Sequence, residues 1–147
     1  MATELIRIPS ERADQLRALA QHKGTTVSAL VGDLVSTEIS RLGILREIGV
    51  GGFDVADLED GNVAFSAHPL GSLTWSKETA RDVAETLVNI ATNRGRGSGG
   101  AINVDASLEF SRAGAGIRLK NIETDRAQII ATTVATDLAK LIYAHAR

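Results

Sequence analysis

The sequence predicts an α+β chain in two parts, and its changes of rhythm carry that reading. Apolar and polar residues alternate over residues 3–9, apolar residues recur at helical spacing over 13–42, and beyond Gly52 the period returns to two, interrupted by helical stretches. The expected first domain spans 1–43 and consists of a strand and two helices. A linker follows at 44–52. The expected second domain, 53–147, is a two-layer α/β unit with an antiparallel sheet on one side and two helices on the other, in the order β-β-β-α-β-β-α.

The leading stretch Thr3-Glu4-Leu5-Ile6-Arg7-Ile8-Pro9 reads as one short strand. Ile6 and Ile8 share one face and Thr3, Leu5 and Arg7 the other, and Pro9, with no N–H for a ladder, ends it. No second strand follows within hairpin distance. Its backbone groups need partners, and the nearest candidate is the same strand of a second copy. Ser10 is the expected N-cap of a first helix carrying Ala13, Leu16, Leu19 and Ala20 and closed at Gly24. Thr25 and Thr26 are placed to cap a second helix, whose stripe of Val27, Leu30, Val31, Leu34, Val35, Ile39 and Leu42 ends at Gly43.

Three features belong together here: the alternation ending in Arg7-Ile8-Pro9, the run Leu16-x-x-Leu19-Ala20, and Gly24-x-Thr26-x-Ser28-x-Leu30-Val31. With them the first 43 residues resemble the ribbon-helix-helix family of dimeric DNA-binding proteins. The resemblance implies a homodimer whose two strands pair as an antiparallel ribbon in the major groove of double-stranded DNA, reading an inverted repeat. It implies that Thr3, Leu5 and Arg7 face the bases and that Thr26, Val27 and Ser28 hold a phosphate at the start of the second helix. A two-stranded ribbon fits the groove, and a helix N-terminus presents free N–H groups and a partial positive charge. The function so implied is that of a sequence-specific transcriptional regulator of prokaryotic type.

Two departures qualify the match. Leu5 stands where a hydrogen-bonding side chain would serve better, and Glu4 places an acid on the ribbon. Through Gly43, moreover, Arg7, Arg12, Arg17, Lys23 and Arg41 are balanced by Glu4, Glu11, Asp14, Asp33 and Glu38, so the module is neutral. Non-specific attraction to DNA comes from phosphate neutralisation and is weak for such a module unless its charges are segregated in space. The alternative is a non-enzymatic interaction protein, such as an antitoxin or an accessory protein of a DNA-processing complex, that uses the ribbon-helix-helix mainly to dimerise.

At 147 residues and 44% hydrophobic composition the chain has room for a buried core. Three Phe, one Trp and one Tyr leave the packing to aliphatic side chains and argue against an RNA-type stacking platform. The absence of cysteine rules out disulfides and thiolate sites and suits a reducing cytoplasm, the expected location. No apolar run approaches the length of a membrane span, and Glu4 and Arg7 stand where a signal peptide would have its apolar core, so no membrane partner is expected.

In the second part Phe53, Val55 and Leu58 begin a strand, Asp60-Gly61 signals a hairpin, and Val63, Phe65 and Ala67 return. Pro69-Leu70-Gly71 turns the chain into a short strand with Leu73 and Trp75. Ser76 then caps a helix whose apolar face is Ala80, Val83, Ala84, Leu87, Ile90 and Ala91. Arg94 to Gly100 is glycine-rich and reads as a flexible surface loop; it lacks the Lys and Ser/Thr spacing of a phosphate-binding loop. Ile102, Val104, Ala106, Leu108 and Phe110 alternate with polar residues as one strand, Gly114 and Gly116 mark a turn, and Ile117 and Leu119 return. Thr124 is placed to cap a long last helix carrying Ala127, Ile130, Ala131, Val134, Leu138, Leu141 and Ile142, whose breadth suggests contact with the first helix or another subunit.

Phe65-Ser66 with Gly71 and Phe110-Ser111 with Gly116 share one spacing, which suggests two copies of a strand-strand-helix unit. Nothing points to catalysis, a metal or a cofactor. His22, His68 and His145 lie in different elements, and motifs of the HExxH, GxSxG and GxGxxG kind are absent. Asp105 and Glu109, flanking Ser107, read as a solvated strand face, and Trp75 and Tyr143 as core or interface residues. The second domain is expected to receive a small effector, a protein partner or further copies of the chain.

Overall fold

The computed structural model describes residues 3–92, 102–104 and 107–147, for 102–104 the backbone alone. The chain divides into two compact units, residues 1–43 and 44–147.

The first unit contains α1 (Ser10–Lys23) and α2 (Val27–Leu42). Ser10 is not the N-cap but the first helical residue. Pro9 holds the cap position at φ −55° and ψ 143°, and its carbonyl accepts the Arg12 and Ala13 N–H groups at 3.0 and 3.1 Å. Proline suits the place, having the required φ and no N–H to leave unpaired. Gly24, at φ +66°, closes α1 in a left-handed turn that disfavours a β-carbon, and the Thr25 N–H donates to the Ala20 carbonyl at 2.9 Å. Thr26 caps α2 as its position suggests, its Oγ1 accepting the Ala29 N–H at 3.1 Å. Residues 3–9 form no strand within the chain and are exposed throughout.

The second unit opens with α3 (Leu45–Ile48), which lies in the stretch read as a linker and packs against the last helix. β1 (Phe53–Asp57), β2 (Val63–Ala67) and β3 (Gly71–Trp75) follow as an antiparallel meander, with Val55 opposite Phe65 and Phe65 opposite Leu73. In the first turn the Asp60 carboxylate accepts the Asn62 N–H at 2.9 Å, the local bond that makes Asp-Gly a hairpin signal. Ser76 caps α4 (Lys77–Thr92), its Oγ accepting the Thr79 N–H at 3.1 Å. A second antiparallel sheet contains β4 (Ile102–Val104), β5 (Leu108–Ala113), β6 (Gly116–Asn121) and β7 (Ala127–Ala131), and α5 (Thr132–His145) ends the unit.

This order, β-β-β-α-β-β-β-β-α after α3, corrects the expected one in three ways. There are two sheets, not one. Ile102–Val104 and Leu108–Phe110 pair antiparallel in place of forming a single strand, with Ile102 opposite Phe110 and Val104 opposite Leu108. Partners whose numbers share parity keep a period-two pattern in step through a turn, so alternation does not reveal the reversal. Ala127, Ile130 and Ala131 belong to a strand, and the last helix begins at Thr132. The cause is local: the Asn121 Oδ1 accepts the N–H groups of Glu123 and Thr124 at 3.0 and 3.2 Å, folding 122–126 into a turn that sends the chain back along β6. Thr124 is therefore a turn residue, and the β-branched pair Ile129-Ile130 suits a strand.

Gly116 has a different reason to be glycine from Gly71. A β-carbon on Gly116 would lie 2.7 Å from the Ile130 carbonyl oxygen, so the approach of β7 to β6 requires its absence, whereas Gly71 has open space and φ +88°. The pairing also differs, since Phe65 faces a residue two beyond Gly71 and Phe110 one three beyond Gly116. The apparent repeat extends neither to register nor to element order, since β7 stands between β6 and α5 and has no counterpart between β3 and α4.

Both helices cover the sheets and pack against each other. Ala80 and Ala84 of α4 and Ala135 and Ala139 of α5 are buried, a composition that lets helices lie close. The breadth of the α5 face is thus met by α4 within the unit. Phe65 stacks on Trp75 with ring centroids 5.0 Å apart, and Phe53 meets Phe65 at 5.9 Å. Asn121 is the buried polar residue among those described, 3% exposed; besides holding its own turn it donates from Nδ2 to the Leu70 carbonyl at 2.8 Å. No described helix is long and apolar enough to cross a membrane.

Candidate nucleic-acid interface

In the first unit the residues proposed to face bases are all exposed. Thr3, Leu5 and Arg7 lie on the leading segment, where Leu5 is 87% and Ile6 80% exposed. Arg7 makes no hydrogen bond or ion pair among the described residues, so its five-donor fork is free for an external acceptor.

Thr26, Val27 and Ser28 come together at the start of α2. The Ala29 N–H is taken by the Thr26 hydroxyl and the Leu30 N–H by the Thr26 carbonyl. The Val27 and Ser28 N–H groups come before Leu30, the first residue whose N–H finds a carbonyl four residues back, so they remain available to an anion.

The apolar face of this unit is open. Ala20 and Leu30 are its buried residues among those described, while Leu19, Val31, Leu34, Val35 and Leu42 are 40–51% exposed. Two buried side chains offset little of the entropy of ordering two helices. The charges are partly paired off. Arg17 is paired with Asp14 at 2.8 Å and Arg41 with Glu38 within single helices, and the Arg41 guanidinium holds the Glu38 carboxyl below its ordinary range.

The other polar residues assemble no catalytic or metal centre among those described. His22 is exposed in the last turn of α1, and His68 lies in the turn before β3. His145 joins a cluster that no sequence spacing announces: its Nδ1 lies 3.3 Å from Asp57 and 3.5 Å from Arg46, which is itself 3.5 Å from Asp57. Residues 46, 57 and 145 meet because α3, β1 and the end of α5 converge. Glu109 is half-buried on β5; Asp105, and the stretch from Arg94 to Gly100, lie outside the described residues. Trp75 is fully buried and Tyr143 is 45% exposed.

Sequence patterning missed the polar row Asp54, Ser66 and Ser72, which are successive partners across β1, β2 and β3. With His68 and Arg126 they line one cleft. Comparison with protein-family models, with curated proteins and with solved structures finds no match for the chain.

Proposed function

We propose that the protein is a homodimeric, sequence-specific DNA-binding regulator of the cytoplasm, in which the leading segments of two copies pair as a ribbon that enters the major groove. One observation carries this reading. A segment of strand length, with alternating residues and an Arg7 that has no partner among the described residues, precedes two helices whose apolar stripe is left open in one chain. Pairing two copies would satisfy the backbone of the segment and cover Ile6, Ile8 and the α2 stripe at once. Thr3, Leu5 and Arg7 would then project on the other face toward the base edges.

Arg7→Ala and Thr26→Ala separate reading from positioning. Arginine gripping guanine through both N–H groups is the commonest specific contact, so Arg7→Ala is expected to cost about 1–3 kcal/mol of affinity and to relax sequence preference. Thr26→Ala is expected to weaken all sequences alike and to lower helix stability by about 1 kcal/mol through the lost cap. Selection from a random DNA pool at low salt, then affinities of both variants at two salt concentrations, is the test. An enriched inverted repeat that vanishes with Arg7→Ala is the expected result; no enrichment and no salt-sensitive binding would overturn the reading.

The pairing of Arg17 with Asp14 and of Arg41 with Glu38 favours a second reading, because it leaves a neutral module with fewer free cations for phosphates. On that reading the first unit dimerises and the second grips a protein partner, as in an antitoxin or an accessory protein of a DNA-processing complex.

A further inference from the structure

The second unit holds a cleft of about 400 Å³ lined by Asp54, Ser66, His68, Ser72 and Arg126, with backbone of the turn before β3. That volume lies in the lower part of the range for small-ligand sites. Register builds its floor. Asp54, Ser66 and Ser72 form a transverse row over three paired strands, on the opposite face from Phe53, Phe65 and Trp75. Arg126 is presented by the turn that Asn121 fixes.

None of these five side chains makes a hydrogen bond or ion pair among the described residues. The adjacent carboxylate is otherwise engaged. Asp125, next to Arg126, is bonded to Lys120 at 2.7 Å, which holds its carboxyl below the ordinary range, so Arg126 is not neutralised by its neighbour. One guanidinium, one carboxylate, one imidazole and two hydroxyls therefore line a single small cleft with no partner among the described residues.

We propose that this cleft is a binding site for a small zwitterion of the α-amino-acid type, its carboxylate on Arg126 and its ammonium group on Asp54, with the serine hydroxyls and His68 completing the hydrogen bonds. A simple anion would meet the charge of Asp54 and a simple cation that of Arg126. A ligand with both charges satisfies both residues, and the arginine fork suits a carboxylate. The site goes beyond the DNA-binding reading and is measured without DNA, so its failure leaves that reading standing.

The test is thermal melting of the full-length protein with each of the common free amino acids in turn, with acetate and ethylamine as carriers of one charge each. At about ten times Kd the matching amino acid is expected to raise the midpoint by about 3–6 °C. Asp54→Asn and Arg126→Gln, at exposed positions, are expected to melt like the unmodified protein without ligand and to bind at least about tenfold more weakly. Any one of three results overturns the proposal: no amino acid shifts the midpoint, acetate or ethylamine alone shifts it equally, or the shift survives in both variants.

Discussion

Ile6→Lys is expected to turn the dimer into monomers. In the proposed ribbon Ile6 faces the shared apolar layer, and two-fold symmetry places two lysines there. Each buried ammonium group costs about 2–4 kcal/mol after relaxation, so the dissociation constant of the dimer should rise by about a thousandfold or more. Leu5→Lys is the control. It adds the same charge one residue away, on the face toward DNA, and should leave the dimer intact. Sedimentation or light scattering at micromolar concentration reads the difference. A dimer that survives Ile6→Lys, or a well-folded monomer of the unmodified chain, would remove the ribbon from the account.

Trp75→Ala is expected to cost about 3–5 kcal/mol in the stability of the second unit and to lower its melting midpoint by about 10–20 °C. Trp75 is 2% exposed, stacks on Phe65, and lies within 3.5 Å of the Ser107 hydroxyl through its indole N–H. Few other large side chains could collapse into the space, since the five aromatics of the chain include only one tryptophan. Calorimetry of the full-length variant should show the transition of residues 44–147 displaced. A shift of less than about 1 kcal/mol would mean that the aromatic cluster is peripheral to that core.

Elements governed by local rules were legible in the sequence. Thr26 and Ser76 cap helices because their hydroxyls reach an N–H three residues on, and Asp60 turns the chain because its carboxylate reaches the Asn62 N–H. Pattern failed where two structures share one pattern. The antiparallel pair Ile102–Val104 and Leu108–Phe110 keeps the alternation of a single strand, and Ala127 to Ala131 suits either a wide helical stripe or a strand. A local signal for the second case did exist: Asn121, two and three residues before the N–H groups it binds, announces the turn that excludes a helix at Thr124.

The candidate sites divide in the same way. Thr26, Val27 and Ser28 are adjacent in sequence and come together at a helix start, where any helix exposes N–H groups. Asp54, Ser66, Ser72 and Arg126 come together through strand register and a turn, and no spacing in the sequence announces such a group. Arg46, Asp57 and His145 are likewise joined by the convergence of three elements.

The amide of Asn121 ties three places to one side chain: the Leu70 carbonyl ahead of β3, and the Glu123 and Thr124 N–H groups in the turn after β6. Those N–H groups lie in a turn whose surface residues are exposed, where rapid exchange with solvent would be the ordinary expectation. Here both are held by one buried side chain that is itself tied to Leu70. The turn should therefore exchange its amide hydrogens as one cooperative group, at the slow rate of the strands and not the fast rate of a loop, and hydrogen exchange resolved by residue would show it. A surface segment would then report the opening of the core beneath it, and a ligand held by Arg126 would act on the second sheet as a whole.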